Sequence, residues 1–263
     1  MRVDLHNHTT LCNHATGTVE EYVLKAIELG IDVYGFSDHA PMNYDPQYRM
    51  SFEQKSLYEK MVLDVKEKYK DQIKVLLAYE VDYLDGYISD EVMKSKVDYF
   101  IGSVHFLKNK NEMWGFDNPE YISIYESKDI DSIWQEYFDA IEAMAKLGIF
   151  DTVGHLDLIK VFKFLPKKDV RLIAKNALNA IKKSNMVLEI NPAGLRKPVE
   201  EQYPSRELLE LAFEMQIPIT FGSDAHSVAQ VGYKYEDVSQ FAKSIGYEKC
   251  VNFDSRDREL VIF

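Results

Sequence analysis

Seven short apolar runs, rich in β-branched residues, alternate along this chain with amphipathic segments of helix length. The runs are continuously apolar, which is typical of parallel strands that are covered on both faces. About seven strand–helix units in one chain of this length favour a closed barrel over an open sheet. We therefore predict an α/β fold, a TIM-like (β/α)7 barrel that forms a single domain over residues 1–263, with strands at Met1–Leu5, Ile31–Phe36, Ile73–Ala78, Val97–Val104, Phe150–Gly154, Met186–Ile190 and Ile217–Phe221.

Helix start and stop signals lie between most of these runs. A capping box of Thr18 with Glu21 opens the first predicted helix, and Gly30 fits the end of that helix. Five further segments carry comparable signals and are predicted to be helical, at residues 51–69, 131–147, 169–183, 205–215 and 236–245.

One long stretch, at about residues 106–130, shows no regular pattern and is predicted to be an insertion loop. Long loops on compact enzymes are often lids or substrate-selecting loops, and others are plain surface excursions. The aromatic residues Trp114, Phe116 and Tyr121 would line a substrate pocket in the first case and pack onto the barrel in the second.

The formal net charge of −12 limits the partners that this chain can bind. Nucleic acid requires a basic surface to neutralise its phosphates, so we expect none as a partner, although a local basic pocket for one phosphate stays open. No apolar run reaches the length of a membrane span, and the N-terminus carries no apolar signal core. Cys12 and Cys250 make a poor disulfide framework, so we expect a reducing cytoplasm and no membrane partner.

All seven histidines lie at the end of a predicted strand or in the loop that follows it, and so does one glutamate. The carboxyl ends of parallel barrel strands converge on one face, so residues far apart in sequence meet there. A lone histidine is usually a hydrogen-bonded or surface residue, but seven placed alike form a pattern. The residues are His6, His8, His14, His39, Glu80, His105, His155 and His226.

Imidazoles and carboxylates without thiolates suit Zn, Mn or Fe. One ion needs three or four protein ligands, so this set is sufficient for two or three divalent ions, and Glu80 could bridge two of them. Such ions lower the pKa of a bound water and neutralise charge on the substrate. A substrate with several anionic oxygens gains most, which points to a small phosphate ester.

Two cations are candidates for binding that phosphate. Arg196 follows the sixth predicted strand, and its guanidinium could bind phosphate through two hydrogen bonds; a surface ion pair with the nearby Glu200 or Glu201 is the alternative. Lys160, which follows His155, is a second candidate, with a solvated surface lysine as the alternative.

The histidine motifs occur in the order in which the PHP family, named for its polymerase-associated and histidinol-phosphatase members, carries them. They are His6-x-His8, Ser37-Asp-His39, Glu80, Gly102-Ser-x-His105, Gly154-His155 and Ser223-Asp-Ala-His226, and the resemblance spans residues 3–232. It implies a distorted barrel of about seven strands. The flanking segments, Leu11–Ala15, Gly35–Met42 and Glu189–Gly194, resemble those of histidinol-phosphate phosphatases of histidine biosynthesis.

The resemblance also implies roles for individual residues. One metal would take His6, His8, Glu80 and Asp224, a second Glu80, His105 and His155, and a third His14, His39 and His226. A hydroxide bridging the ions would be the nucleophile, with Glu80 and Asp224 as catalytic carboxylates and Asp224 as a proton-transfer partner. Apart from the resemblance, Asp38 precedes a predicted ligand and would orient its neighbours, with a loop-capping residue as the alternative. The chain departs from the family pattern at Lys160, where arginine is expected.

These observations predict a metal-dependent phosphomonoesterase that hydrolyses L-histidinol phosphate to L-histidinol and phosphate. A phosphoesterase of the same family acting on nucleotides, nucleic-acid ends or phosphotyrosine is the first alternative. A non-catalytic metal-binding module and a C–N hydrolase are the others. The sequence leaves the oligomeric state open.

Overall fold

Strands alternate with helices along most of the computed structural model, which describes residues 1–109 and 112–263. The strands in these ranges are β1 (Val3–Asp4), β2 (Val33–Phe36), β3 (Lys74–Asp82), β4 (Tyr99–Ser103), β5 (Phe106–Asn109), β6 (Glu112–Gly115), β7 (Thr152–Val153), β8 (Val187–Ile190), β9 (Ile219–Phe221), β10 (Lys249–Asp254) and β11 (Asp257–Ile262). The helices are α1 (Val19–Glu28), α2 (Lys55–Lys68), α3 (Asp90–Met93), α4 (Ile122–Ser127), α5 (Ile130–Lys146), α6 (Val170–Lys183), α7 (Arg206–Glu214) and α8 (Tyr235–Ile245).

Seven of these strands pair in parallel in the spatial order β1-β2-β3-β4-β7-β8-β9. The two edges of the sheet meet, because the Leu5 amide donates to the Phe221 carbonyl at 2.8 Å and Asn7 pairs in parallel with Ala225. The sheet thus nearly closes into a barrel with helices around it. The predicted distorted (β/α)7 barrel and its single domain are confirmed.

Local signals explain where the helices begin and end. Thr18 and Glu21 form the predicted capping box, with the Thr18 hydroxyl accepting from the Glu21 amide at 3.2 Å and the Glu21 carboxylate accepting from the Thr18 amide at 2.7 Å. Gly148 has a φ of +65° just after α5, a conformation that glycine adopts at low cost. The helices bury apolar faces against the barrel, as their periodicity predicts.

Strand β3 is longer than predicted, since it continues beyond Ala78 to Asp82. Glu80 therefore lies within the strand, paired with Ile101, and does not follow it as we expected. Glu80 and Asp82 interrupt the apolar run, which is why the sequence suggested an earlier end. Residues two apart on a strand point to the same face, and both carboxylates point to the mouth of the barrel.

The stretch 106–130 was expected to be irregular, but most of its described residues have regular secondary structure. Strands β5 and β6 form an antiparallel hairpin, in which Phe106 pairs with Gly115, and α4 follows it. Residues 110–111, which the predicted loop included, lie outside the described residues. Trp114 and Phe116 are buried, with the Trp114 ring 5.0 Å from the Tyr125 ring, so both pack onto the barrel, while Tyr121 is exposed.

A second hairpin, β10–β11, was missed from the sequence. It packs where the barrel strands begin: the Thr220 hydroxyl donates to the Val251 carbonyl at 2.9 Å, and the Phe253 ring stacks on Tyr99 at 5.0 Å. Its turn residues Ser255 and Arg256 have φ values of +50° and +72°. Tight hairpin turns of this hand usually carry glycine or asparagine, so this turn gave no signal. The hairpin covers the end of the barrel opposite to the histidines.

Within residues 1–109 and 112–263, no helix is both long enough and apolar enough to cross a membrane. Cys12 and Cys250 are both buried as free thiols, in agreement with the prediction that they form no disulfide framework.

Candidate metal centre

The structure brings the predicted ligands together at one end of the barrel. His6 and His8 follow β1, His39 follows β2, His105 follows β4, and Asp224 and His226 follow β9. The rings of His8 and His226 lie 4.0 Å apart between centroids, and those of His105 and His155 lie 5.0 Å apart. The ring of His14 lies 4.6 Å from that of His226. All seven imidazoles therefore form one cluster, as convergence of the strand ends predicts.

Glu80 lies at the centre of this cluster and is buried. Its Oε2 is 3.3 Å from His6 Nε2 and 3.0 Å from His39 Nδ1. Its Oε1 is 3.0 Å from His155 Nε2 and 3.7 Å from His105 Nε2. Burial alone would raise the pKa of Glu80, but the neighbouring rings of His6 and His39 outweigh it and hold that pKa well below its usual range. The carboxylate is thus ionised and faces two sides of the cluster.

Two of the three predicted ligand sets are grouped closely. The ligand atoms of His6, His8 and Glu80 lie within 4.8 Å of one another, and so do those of Glu80, His105 and His155. Asp224 Oδ1 lies 3.2 Å from His8 Nε2, beside the first set.

The third predicted set is divided differently in this structure. His39 is grouped with His8 and His226, whereas His14 is grouped with Cys12 and His226. The Cys12 thiol donates to the Thr9 carbonyl at 3.1 Å. Burial raises the pKa of Cys12, which disfavours the thiolate that a metal would need. Imidazoles are therefore the better ligands on this side of the cluster.

Carboxylates behind three of the rings fix which nitrogen of these rings faces the cluster. The Nδ1 atoms of His6, His8 and His105 contact Glu189 at 2.6 Å, Asp38 at 3.3 Å and Asp82 at 2.5 Å, respectively. A proton on Nδ1 leaves Nε2 free to bind a metal, and such carboxylate partners also orient the ring.

Of these three carboxylates, the sequence predicted the orienting role only for Asp38. Glu189 and Asp82 were missed, although each is an acidic residue inside an apolar strand run, and that position was the available signal.

The buried nitrogens of the cluster fit a metal centre. In the described part of the chain, His6 Nε2, His8 Nε2 and His39 Nδ1 are buried and have no hydrogen-bond partner of acceptable geometry. Buried polar atoms are nearly always satisfied, so a group of unsatisfied ring nitrogens facing two carboxylates indicates a missing partner. Neutral imidazoles and carboxylates are the donors that Zn, Mn and Fe accept.

Two of the predicted ligands occupy backbone conformations that are uncommon for residues other than glycine. Asp224 has a φ of +53° and His155 a φ of +23°, both in the left-handed region. Beside them, Gly222 lies against the first ligand: a Cβ at this position would be 2.4 Å from His6 Cβ and 2.2 Å from Glu189 Oε1. The close packing of β9 against the His6 loop therefore requires glycine here.

Arg196 lies at the rim of the cluster, next to Asp224. Its Nη1 and Nη2 both donate to the Ser223 carbonyl at 3.0 Å, and Nη2 also donates to the Asp224 carbonyl at 2.5 Å. A guanidinium has five donor hydrogens, so the bonds within the described residues leave two for another acceptor. Arg196 both holds the loop of Asp224 and keeps donors for a ligand.

Lys160, predicted as a phosphate ligand, takes a different place. Its side chain is 1% exposed, and its ammonium is 2.9 Å from Asp157, 2.7 Å from Glu201 and 2.8 Å from the Gln202 carbonyl. An ammonium has three donor hydrogens, and these three acceptors account for all of them. The buried Asp157 carboxylate explains the position, because a buried charge requires a partner. Within the described residues, Lys160 thus belongs to the packing beneath the rim, and its role as a phosphate ligand stays a prediction.

Comparisons with known proteins agree with this geometry. Residues 4–193 match the model of the PHP domain, and residues 205–244 match that of the PHP-associated region. The chain is 38% identical to a probable histidinol-phosphatase of Deinococcus radiodurans, covering 92% of this chain and 93% of that protein. It is 30% identical to the histidinol-phosphatase of Bacillus subtilis, covering 89% and 96%.

Two solved structures share the fold. A proposed histidinol phosphatase of Listeria monocytogenes superposes with a TM-score of 0.80 at 28% identity, covering 90% of this chain and 99% of the other. The histidinol phosphate phosphatase of Lactococcus lactis, complexed with Zn, L-histidinol and phosphate, superposes with a TM-score of 0.79 at 21% identity, covering 98% of both chains. With the PHP model matching most of its length, this chain belongs to the PHP domain family.

Proposed function

We propose that this chain is a metal-dependent phosphomonoesterase that hydrolyses L-histidinol phosphate to L-histidinol and phosphate. One observation carries the proposal: seven imidazoles and the Asp224 carboxylate meet around the buried Glu80 at the mouth of the barrel. The chain is also 38% and 30% identical to two histidinol-phosphatases over nearly the whole length of each protein.

The centre holds two or three divalent ions in this proposal. The ligands would be His6, His8, Glu80 and Asp224 for one ion, Glu80, His105 and His155 for the next, and His14, His39 and His226 for a third. Zn in the Lactococcus lactis structure supports a divalent metal, and the donor set equally accepts Mn or Fe. When bound, such ions lower the pKa of a coordinated water and neutralise charge on phosphate oxygens.

The two carboxylates of the centre have different surroundings and hence different proposed roles. Glu80 is 1% exposed and contacts rings on both sides, so it holds the two halves of the cluster together. The Asp224 side chain is 17% exposed and receives a hydrogen bond from Asn191 at 3.3 Å. Burial alone would raise the pKa of Asp224, but His6 and His8 lower it well below its usual range. Asp224 is therefore ionised and reachable from the mouth, and it is the proposed proton-transfer partner.

Arg196 is the proposed phosphate ligand. Its loop bonds to Ser223 and Asp224 fix the guanidinium at the rim, and two donor hydrogens remain for phosphate oxygens. The remaining hydrogens, on Nε and Nη1, lie on different edges of the guanidinium, so each would bind a phosphate oxygen singly, without the bidentate pair expected from the sequence. A preorganised guanidinium also loses little side-chain freedom on binding. The substitution Arg196→Lys keeps the charge and removes the fork, so it should raise KM more than it lowers kcat.

The experiment is phosphate release from L-histidinol phosphate, compared with a nucleoside monophosphate, phosphotyrosine and a simple aryl phosphate. The protein is tested after reconstitution with Zn or Mn and after chelation. We expect a kcat/KM for histidinol phosphate that exceeds the others by at least about 100-fold, and its loss on chelation, since groups of the substrate beyond the phosphate add binding energy in the transition state.

The other outcomes separate the alternatives. Metal-dependent release that favours a nucleotide or phosphotyrosine would keep the metal centre and overturn the substrate. A metal-loaded protein that releases phosphate from none of these esters would contradict the phosphatase proposal and favour the non-catalytic module.

A further inference from the structure

Arg49 is a buried cation beside the proposed metal centre that the roles above do not use. Its side chain is 4% exposed. The Nη1 atom donates to Asp82 Oδ2, and Nε donates to the Asp45 carbonyl at 2.7 Å. Nη2 lies 3.5 Å from Asp45 Oδ2. Burying a charged group costs several kcal/mol unless it is paired, so a guanidinium held by these contacts is a specified feature of the fold.

Arg49 reaches the metal centre through Asp82. The Asp82 side chain is fully buried, with Oδ2 bonded to Arg49 and Oδ1 2.5 Å from His105 Nδ1. His105 Nε2 in turn lies 3.7 Å from Glu80 Oε1. The two oxygens of one carboxylate therefore join the guanidinium to the ring. With Oδ2 fixed by Arg49, the plane of the carboxylate is fixed, and so is the direction in which Oδ1 meets His105.

Arg49 is itself held from a second part of the cluster. The Asn13 side chain donates to the Arg49 carbonyl at 3.0 Å and to the Gln47 carbonyl at 3.2 Å. Asn13 lies directly before the ligand His14. The guanidinium carbon also lies 5.9 Å from the centre of the Phe106 ring, next to His105. The residue is thus fixed at its backbone and at its side chain, and it links two loops that carry ligands.

We infer that Arg49 is a positioning residue of the metal centre: through Asp82 it fixes the ring of His105 and so sets metal occupancy at the ligand set of Glu80, His105 and His155. The inference rests on the proposed metal centre. Arg49 contacts neither the metal nor the substrate. Partners that orient a metal-bound histidine typically change metal affinity 10- to 100-fold when they are removed, and we expect an effect of about that size.

The test measures metal binding, without substrate. Wild type, Arg49→Met and Arg49→Lys are dialysed against a series of buffered free Zn²⁺ concentrations, and bound metal is measured by elemental analysis. Co²⁺ loading followed by absorbance then reports ligand geometry. Arg256→Met is the matched control, because Arg256 also pairs with an aspartate beside a strand, Asp151 at 3.0 Å. That pair lies at the opposite end of the barrel.

For Arg49→Met we expect about one ion per chain to be bound 10- to 100-fold more weakly, with a changed Co²⁺ spectrum. Arg49→Lys should lose less metal affinity than Arg49→Met, because it keeps the positive charge. It should still bind more weakly than wild type, because it lacks the forked donors of the guanidinium. Arg256→Met should bind metal like wild type. If Arg49→Met does not fold, Arg49→Lys decides, and wild-type affinity in that variant would overturn the inference.

Two further outcomes would also overturn it: unchanged affinity in folded Arg49→Met, or an equal loss in Arg256→Met, which would indicate general destabilisation. Failure of the proposed function looks different, because wild type would then bind metal and leave histidinol phosphate intact.

Discussion

Glu189 offers a sharp test of the carboxylates behind the ligands. Its Oε1 lies 2.6 Å from His6 Nδ1, while Oε2 accepts from the His155 amide at 2.8 Å and from the Asn191 side chain at 3.1 Å. Glu189→Gln keeps the shape and replaces one oxygen with an NH2 group. The amide oxygen will stay where two donors need it, so the NH2 group will face His6. His6 must then accept at Nδ1 and carry its proton on Nε2, the nitrogen that faces Glu80.

The size of the effect follows from this geometry. A ring protonated on Nε2 cannot bind a metal there, so binding must either reverse the tautomer or leave the NH2 group facing a donor. Both cost about as much as losing a charge-assisted hydrogen bond, roughly 1.5–3 kcal/mol. At 1.36 kcal/mol for each tenfold change, the metal affinity of the His6 set should fall by about 10- to 150-fold.

Equilibrium dialysis against buffered Zn²⁺ measures this affinity, and kcat/KM for histidinol phosphate is measured beside it. Glu207→Gln on the exposed side of α7 is the matched control and should behave like wild type. Metal affinity of Glu189→Gln within about twofold of wild type would show that the carboxylate does not determine the tautomer of His6.

Two further predictions concern packing and protonation at the same cluster. Gly222→Ala places a methyl group 2.4 Å from His6 Cβ, so it should lower the free energy of unfolding by about 1–3 kcal/mol and reduce the amount of bound metal. Thermal unfolding measures the stability, and elemental analysis measures the bound metal. Wild-type values of both would contradict the close packing. Burial lowers the pKa of His8 and His105, but Asp224 and Asp38 raise that of His8 to about 9, and Asp82 raises that of His105 to about 10. Without metal both rings are therefore protonated below these values, and an ion that binds either ring must displace its proton. The Zn²⁺ affinity of each ligand set should thus fall by about 10-fold per displaced proton for each pH unit from 8 to 6, as dialysis at several pH values would show; an affinity independent of pH would exclude this proton release.

Local pattern made much of the fold predictable. Continuous apolar runs placed the seven barrel strands, because a strand covered on both faces must be apolar whatever its neighbours are. The capping box of Thr18 and Glu21 needs only residues three apart, so the start of α1 could also be predicted. The ligand-bearing loops followed, since parallel strands bring their carboxyl ends to one face.

Other features depended on partners far away in sequence. Glu189 and His6 are 183 positions apart, and Arg49 and Asp82 are 33 apart, so no local pattern pairs them. The buried position of Lys160 likewise depends on distant residues, because its ammonium pairs with the buried Asp157 and with Glu201. The hairpin β10–β11 lacked the usual turn residues.

The sequence by itself determined which residues are the candidate ligands and that their strands run parallel. Only the tertiary structure decided which nitrogens of His6, His8 and His105 face Glu80, which carboxylates stand behind these rings, and which cations are left with free donors. The physical reason is that a charge or ring nitrogen withdrawn from water takes its orientation from the nearest available partner, and barrel closure selects that partner.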